Sequence, residues 1–139
     1  MDEIQRVEEV LFFVANVESA KHWYSDLLGE TPYFDEEGYV AFRLANVTIG
    51  LHPNDEKNAS GAGGQVTYWH VSDIQQTSAH FGEQGCHKSR GSIIGVDQIP
   101  VCQLIDPFGT LWGLARNLKA FNTWTRIVVA FDGCYKGVT

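Results

Sequence analysis

The sequence has no excess of positive charge. With 10 Lys and Arg against 17 Asp and Glu, its formal net charge is −7. Binding a nucleic acid requires a basic face that displaces counterions from phosphate, so a polyanion partner is not expected. No run approaches the ~20 apolar residues that a membrane span requires. The stretch from Met1 to Arg6 is charged and lacks the apolar core of a secretory signal. Cys86, Cys102 and Cys134 form an odd set, and no two stand at metal-binding or redox spacing. These absences lead to the expectation of a cytoplasmic chain with reduced thiols, no membrane and no nucleic acid. A strained G-x-S-x-G nucleophile turn is missing too, so serine-type hydrolysis finds little support.

What is present suits one globular domain. The chain has 139 residues, 44% of them hydrophobic and 19% charged, enough for one real core. Eight Phe, five Tyr and four Trp exceed what a small core needs and leave some for a pocket. Positions 7–14 alternate as a strand, with Val10, Phe12 and Val14 on one face and Glu9, Leu11 and Phe13 on the other. A helix follows, capped by Asn16, with Glu18 near its positive end and Gly29 as its stop. Its apolar stripe is Ala20, Trp23, Leu27 and Leu28. Three short strands come next, over 33–34, 39–44 and 47–52, separated by the turn-like segments 35–38 and 45–46.

The polar, glycine-rich segment 53–64 reads as a linker between two halves. It is not a phosphate loop, because no Lys-Ser/Thr follows it. The pattern then restarts: a strand over 66–71, a helix capped by Ser72 or Asp73 and ending at Gly85, and strands around 92–96, 101–105 and 111–116. Asp106–Gly109 forms the last hairpin. Val14-Ala15-Asn16 matches Val71-Ser72-Asp73, so the unit of strand, helix and three strands occurs twice. Neither half could cover both faces of its sheet alone. The expected fold is α+β: two βαβββ modules, about 7–52 and 65–116, forming a curved mixed sheet around a cleft with helices outside. Residues 117–139 form an extension in which 124–131 could add a strand or pack on a partner subunit.

These residues resemble the vicinal-oxygen-chelate superfamily, which includes glyoxalases, bleomycin-resistance proteins and extradiol dioxygenases. The opening VLFFVANVESAKHWYSDLLGE is similar to its strand–helix start, with Trp23, Tyr24, Leu28 and Gly29 at matching positions and Asn16 where Asp is usual. The second half repeats this with HVSDI, and DPFGTLWGLAR resembles the closing DP-x-G-N motif, with Thr110 at the Asn position. The resemblance spans 7–116. It implies metal ligands at positions that fall here on Glu9, Gly50, Val66 and Gly113. Three of these offer no side-chain donor, whereas stable transition-metal sites need three or four. The resemblance therefore points to the metal-free, ligand-binding members, which are typically homodimers, and implies no cofactor.

Strand parity places Glu9, Leu11, Phe13, Thr48, Gly50, His52, Val66, Tyr68, His70, Leu111, Gly113 and Ala115 toward the cleft. From these the candidate ligand-binding residues are Glu9, Leu11, Phe13, Gly50, His52, Tyr68, His70, Leu111 and Gly113. Phe13 and Tyr68 offer flat surfaces, Gly50 and Gly113 remove bulk, and Glu9, His52 and His70 supply polar anchors. A carboxylate beside aromatic faces favours a cationic or hydrogen-bond-donating organic ligand. Two enzymatic alternatives stay open. One is a metal-dependent lyase or dioxygenase using Glu9, His52 and His70; the other is a metal-free enzyme with Glu9 or His70 as base. No catalytic residue is assigned.

Overall fold

Both halves of the chain alternate apolar and polar residues along their strands, and each half folds one sheet against its own helix. The computed structural model describes residues 3, 5–95 and 97–116. The expected strand or partner contact at 124–131, and Cys134, lie outside the described residues. The first half runs β1 (Glu9–Val14), α1 (Val17–Leu28), β2 (Phe34–Glu36), β3 (Tyr39–Leu44) and β4 (Val47–Pro53). The second runs β5 (Thr67–His70), α2 (Ile74–Glu83), β6 (His87–Ile94), β7 (Pro100–Ile105) and β8 (Leu111–Ala115). The strand orders are β1-β4-β3-β2 and β5-β8-β7-β6, with the first and last strands of each module parallel and the others antiparallel. The architecture is thus the expected α+β pair of βαβββ modules. The mixed sheet is divided into two four-stranded ladders, and among the described residues none joins β1 to β5.

Local chemistry sets the ends of the elements. The Asn16 side chain accepts from Ser19 N at 2.9 Å, and Gly29 closes α1 in the left-handed region at φ 64°. Of the two candidates for the second cap, Asp73 is the one used, accepting from Gln76 N at 2.9 Å. Ala45 and Asn46 both take positive φ, as a two-residue hairpin between right-twisted strands requires. The strand expected around 92–96 begins earlier, at His87, and ends at Ile94. It is exposed along its whole length, so no apolar alternation marks it. β2 also runs into 35–36, which the sequence suggested as turn.

Parity of the other strands follows the sequence. Val14, Ile49, Leu51, Trp112 and Leu114 are buried under the helices, while Glu9, Leu11, Tyr68 and His70 stay exposed on the opposite face. One core cluster spans both halves. At its centre Trp112 meets Phe12 at 5.5 Å and Phe81 at 5.3 Å between ring centroids, both edge to face. Tyr24, whose packing role the apolar stripe did not reveal, is fully buried and donates its hydroxyl to Asp106 Oδ2. Asp106 also accepts from Trp112 Nε1 at 3.1 Å and from the amides of Phe108 and Thr110 at 2.9 Å each. The helices are tied directly as well: Trp23 Nε1 donates to Gln84 O at 2.7 Å, and His80 Nε2 lies 2.9 Å from Leu27 O. The halves therefore join through their helix sides, and among the described residues both opposite sheet faces are open.

Candidate functional site

Register converts the two open sheet faces into transverse rows, because directly paired residues share a face. In the first module the middle row is Leu11–Gly50–Ala41–Phe34. It is flanked by Glu9–Thr48–Arg43 and by Phe13–His52, with Tyr39 and Glu36 continuing the face. In the second module the middle row is Tyr68–Gly113–Gln103–Arg90. Its flanks are Leu111–Ile105–His87 and His70–Ala115–Val101–Ile93. The two faces have inverted polarity: an apolar row between polar ones in the first, a polar row within largely apolar flanks in the second.

Gly50 and Gly113 occupy equivalent places in these rows, and neighbouring side chains take up the room they leave. A Cβ at Gly50 would collide with Glu9 Oε1 and would lie 2.8 Å from Leu11 Cδ1 and 2.9 Å from Tyr39 Cε2. At Gly113 it would lie 2.7 Å from Tyr68 Cδ1 and 2.8 Å from the Thr67 carbonyl. Glu9 Oε1 accepts the Tyr39 hydroxyl at 2.5 Å. Burial and this carboxylate push the Tyr39 phenol up to about 12. Tyr33 Oη is 3.1 Å from Thr48 Oγ1, and the Arg43 guanidinium stands 5.1 Å above the Tyr33 ring. His52 meets Phe13 edge to face at 5.7 Å, with Nδ1 2.8 Å from Pro53 O.

A cleft of about 460 Å³ opens along the edge of β1 that no described strand pairs with, lined among others by Leu11, Phe13, Lys57, Gly61, Thr67 and Leu111. The glycine-rich linker forms its far wall and rests on the last hairpin, where a Cβ at Gly109 would come 3.4 Å from Gly61 Cα. Of the nine candidate residues, Leu11, Phe13 and Leu111 line this cleft. Glu9, Gly50 and His52 lie on the same sheet face beside it, and Tyr68 and Gly113 lie on the second face. His70 lines a separate apolar cleft of about 240 Å³ with Leu28, Leu44, Trp69 and Phe81.

Glu9, His52 and His70 are not brought together within the chain. Among the described residues no three His, Cys, Asp or Glu side chains are grouped to hold a metal ion. Of the four positions the resemblance implies, Glu9 lies beside Gly50, and Gly50, Val66 and Gly113 supply no side-chain donor. The described residues of one chain therefore do not fit a three- or four-donor centre. Cys86 is buried, and its thiol is pushed up to about 12 by burial and by nearby Asp106, which keeps it protonated and unreactive.

Sequence reasoning missed Tyr39, Gln103 and Arg90. The first two were within reach: the hairpins at 45–46 and 106–109 place Ala41 opposite Gly50 and Gln103 opposite Gly113. Arg90 gave no signal, because register shifts on both sides of it break the period of β6.

No family model matches this sequence, and no curated protein matches it in sequence. Solved structures do match in fold. A member of the glyoxalase/bleomycin resistance protein/dioxygenase superfamily from Sphaerobacter thermophilus superposes with a TM-score of 0.69 at 18% identity, covering 83% of this chain and 99% of its own. A glyoxalase-related enzyme from Fulvimarina pelagi gives 0.67 at 15% identity, covering 82% and 89%. A glyoxalase / bleomycin resistance protein from Catenulispora acidiphila gives 0.61 at 17% identity, covering 81% and 99%. At these identities the likeness carries the fold.

Proposed function

We propose that this chain, built on the glyoxalase/bleomycin-resistance fold, is a metal-free small-molecule-binding protein that takes an organic ligand against its open sheet faces. The observation that carries this reading is the cleft beside β1. Its volume of about 460 Å³ falls in the range of small-molecule sites; Leu11, Phe13 and Leu111 form an apolar side, and Lys57, Asn58, Gln65 and Thr67 a polar one. Glu9 stands one position along the same face, exposed and already oriented by Tyr39. A carboxylate beside aromatic rings suits a cationic or hydrogen-bond-donating group on an aromatic body. The donor set argues for the metal-free form, since Glu9 is alone among the four implied ligand positions in carrying a donor. A lyase or dioxygenase using Glu9, His52 and His70 would have to collect its donors from more than one chain. In this reading the protein acts in the cytoplasm as a homodimer, and turnover is not required.

The test is titration of the purified protein with a naphthylmethyl ammonium ion and its neutral alcohol analogue, each with a metal chelator present. The expected outcome is saturable binding that favours the cation, with Glu9→Gln weakening the cation about tenfold and sparing the alcohol. Equal affinity for both probes would refute the charge-based part. Binding that appears only when a divalent metal is restored would overturn the metal-free reading.

A further inference from the structure

The middle row of the second module is the most polar feature of that open face, and Glu9 plays no part in it. Tyr68, Gly113, Gln103 and Arg90 stand side by side across β5, β8, β7 and β6. Gln103 Nε2 donates to Tyr68 Oη at 2.6 Å. Because that phenol oxygen is engaged as an acceptor, its own hydrogen remains available to a ligand. Tyr68 is 42% exposed, and its ring lies over Gly113, where any Cβ would displace it.

Arg90 stands next to Gln103 in the row, on a strand that is exposed throughout. Register shifts lie on both sides of it, between Lys88 and Arg90 and between Arg90 and Ile93. Such irregularities re-aim side chains on edge strands, and here they leave Arg90 paired with Gln103. Among the described residues no carboxylate pairs with Arg90, as none does with Arg43, Lys57, Lys88 or Arg116, so its guanidinium is available to a ligand. Above and below the row lie the apolar residues Ile105, Leu111, Val101 and Ile93, with His87 and His70 at the ends of these flanks.

We infer that this row is an oxyanion-binding site for the carboxylate of a planar aromatic ligand. The guanidinium of Arg90 presents a flat fork of donors that matches a carboxylate, and the Tyr68 hydroxyl supplies a further donor from the other side of Gln103. The exposed face of the Tyr68 ring and the apolar flanks take the aromatic body. The inference rests on the small-molecule reading above and adds a ligand class to it: the bound molecule carries an acidic group, held by the second module.

The experiment is calorimetric titration with a naphthalene carboxylate, the isosteric naphthamide and the naphthylmethyl ammonium ion. The native chain, Arg90→Gln, Arg90→Lys and Tyr68→Phe are compared. Since Arg90 is exposed on an edge strand, its variants are expected to keep the native thermal transition, which is measured alongside. The carboxylate should bind the native chain, and Arg90→Gln should weaken it about tenfold or more while leaving naphthamide unchanged. Arg90→Lys should restore part of the loss, because the charge returns without the fork, and Tyr68→Phe should weaken the carboxylate more than the amide. A carboxylate that binds no better than naphthamide, or equally well to Arg90→Gln, overturns the inference. If the ammonium ion still binds in that case, the small-molecule reading survives it; if none of the three probes binds, both fail.

Discussion

At the scale of the single residue, Asp106 ties the two halves together. Its carboxylate is buried and accepts four hydrogen bonds, two from side chains on different elements and two from backbone amides of its own turn. Burial pushes its pKa up, and the donors, Tyr24 first, oppose that rise. The Tyr24 hydroxyl is raised far out of the titrating range by burial and by Asp106, so it stays a donor. Replacing Asp106 with Asn keeps the shape but substitutes an NH₂ group for one acceptor oxygen. Whichever way the amide turns, it sets a donor against a group that can only donate, either the Trp112 indole N–H or the two backbone amides. A buried polar group left unpaired costs about 1–3 kcal/mol, and more where the lost partner was charged. Asp106→Asn is therefore expected to lower unfolding stability by about 2–4 kcal/mol in a denaturant titration. A loss under about 0.5 kcal/mol would mean that the network does not join the halves as described.

At the scale of the element, legibility in the sequence followed burial. Strands with one face against a helix, such as β1, β4 and β8, announced themselves by alternation, and parity alone sorted Leu11 and Phe13 from Val10, Phe12 and Val14. Helix ends were legible because Asn16, Asp73 and Gly29 have few other reasons to stand where they do. β6 was displaced in the reading because an exposed, bulged edge strand obeys no periodicity, and Arg90 was lost with it. The two glycines show what parity cannot supply. Both were assigned to the open face, but their surroundings differ in kind. At Gly50 an added methyl meets the mobile ends of Glu9 and Leu11 and the edge of Tyr39. At Gly113 it meets the Thr67 carbonyl, part of the β5 backbone, as well as Tyr68. Flexible side chains can yield, whereas a strand paired to its neighbour cannot move without disturbing the ladder. Gly113→Ala should therefore cost about 1–3 kcal/mol of stability, the range for overpacking a filled site. Gly50→Ala should cost clearly less and act mainly by dislodging Glu9 from Tyr39. Thermal denaturation of the two variants side by side checks this, and equal losses would refute the distinction.

At the scale of the whole molecule, the outer strands leave apolar side chains exposed. Tyr33 is 55% exposed, Phe34 44%, Ile93 45% and Ile94 62%, all on or beside the outer strands. Among the described residues, strands β1 and β5 each keep one unpaired edge. A net charge of −7 opposes self-association, so any contact between copies must draw on this apolar surface rather than on charge. We propose a two-fold homodimer in which the outer strands of one copy cover open sheet face of the other, since a closed pair uses the same surface twice and leaves no edge to propagate. Such a contact should bury about 1,200–2,000 Å² in total. Sedimentation velocity at micromolar concentration should give a dimer, and Phe34→Glu combined with Ile94→Lys should shift it to monomer. Because both substitutions lie at exposed positions, the monomeric variant should keep its thermal transition apart from the concentration dependence that dimerisation imposes. If the open faces bind ligand only when a second copy walls them, the same double variant should also lose probe binding while Glu9, Tyr68 and Arg90 remain in place. A native chain that sediments as a monomer yet binds the probes would place the entire site within one chain, with the cleft beside β1 as its centre.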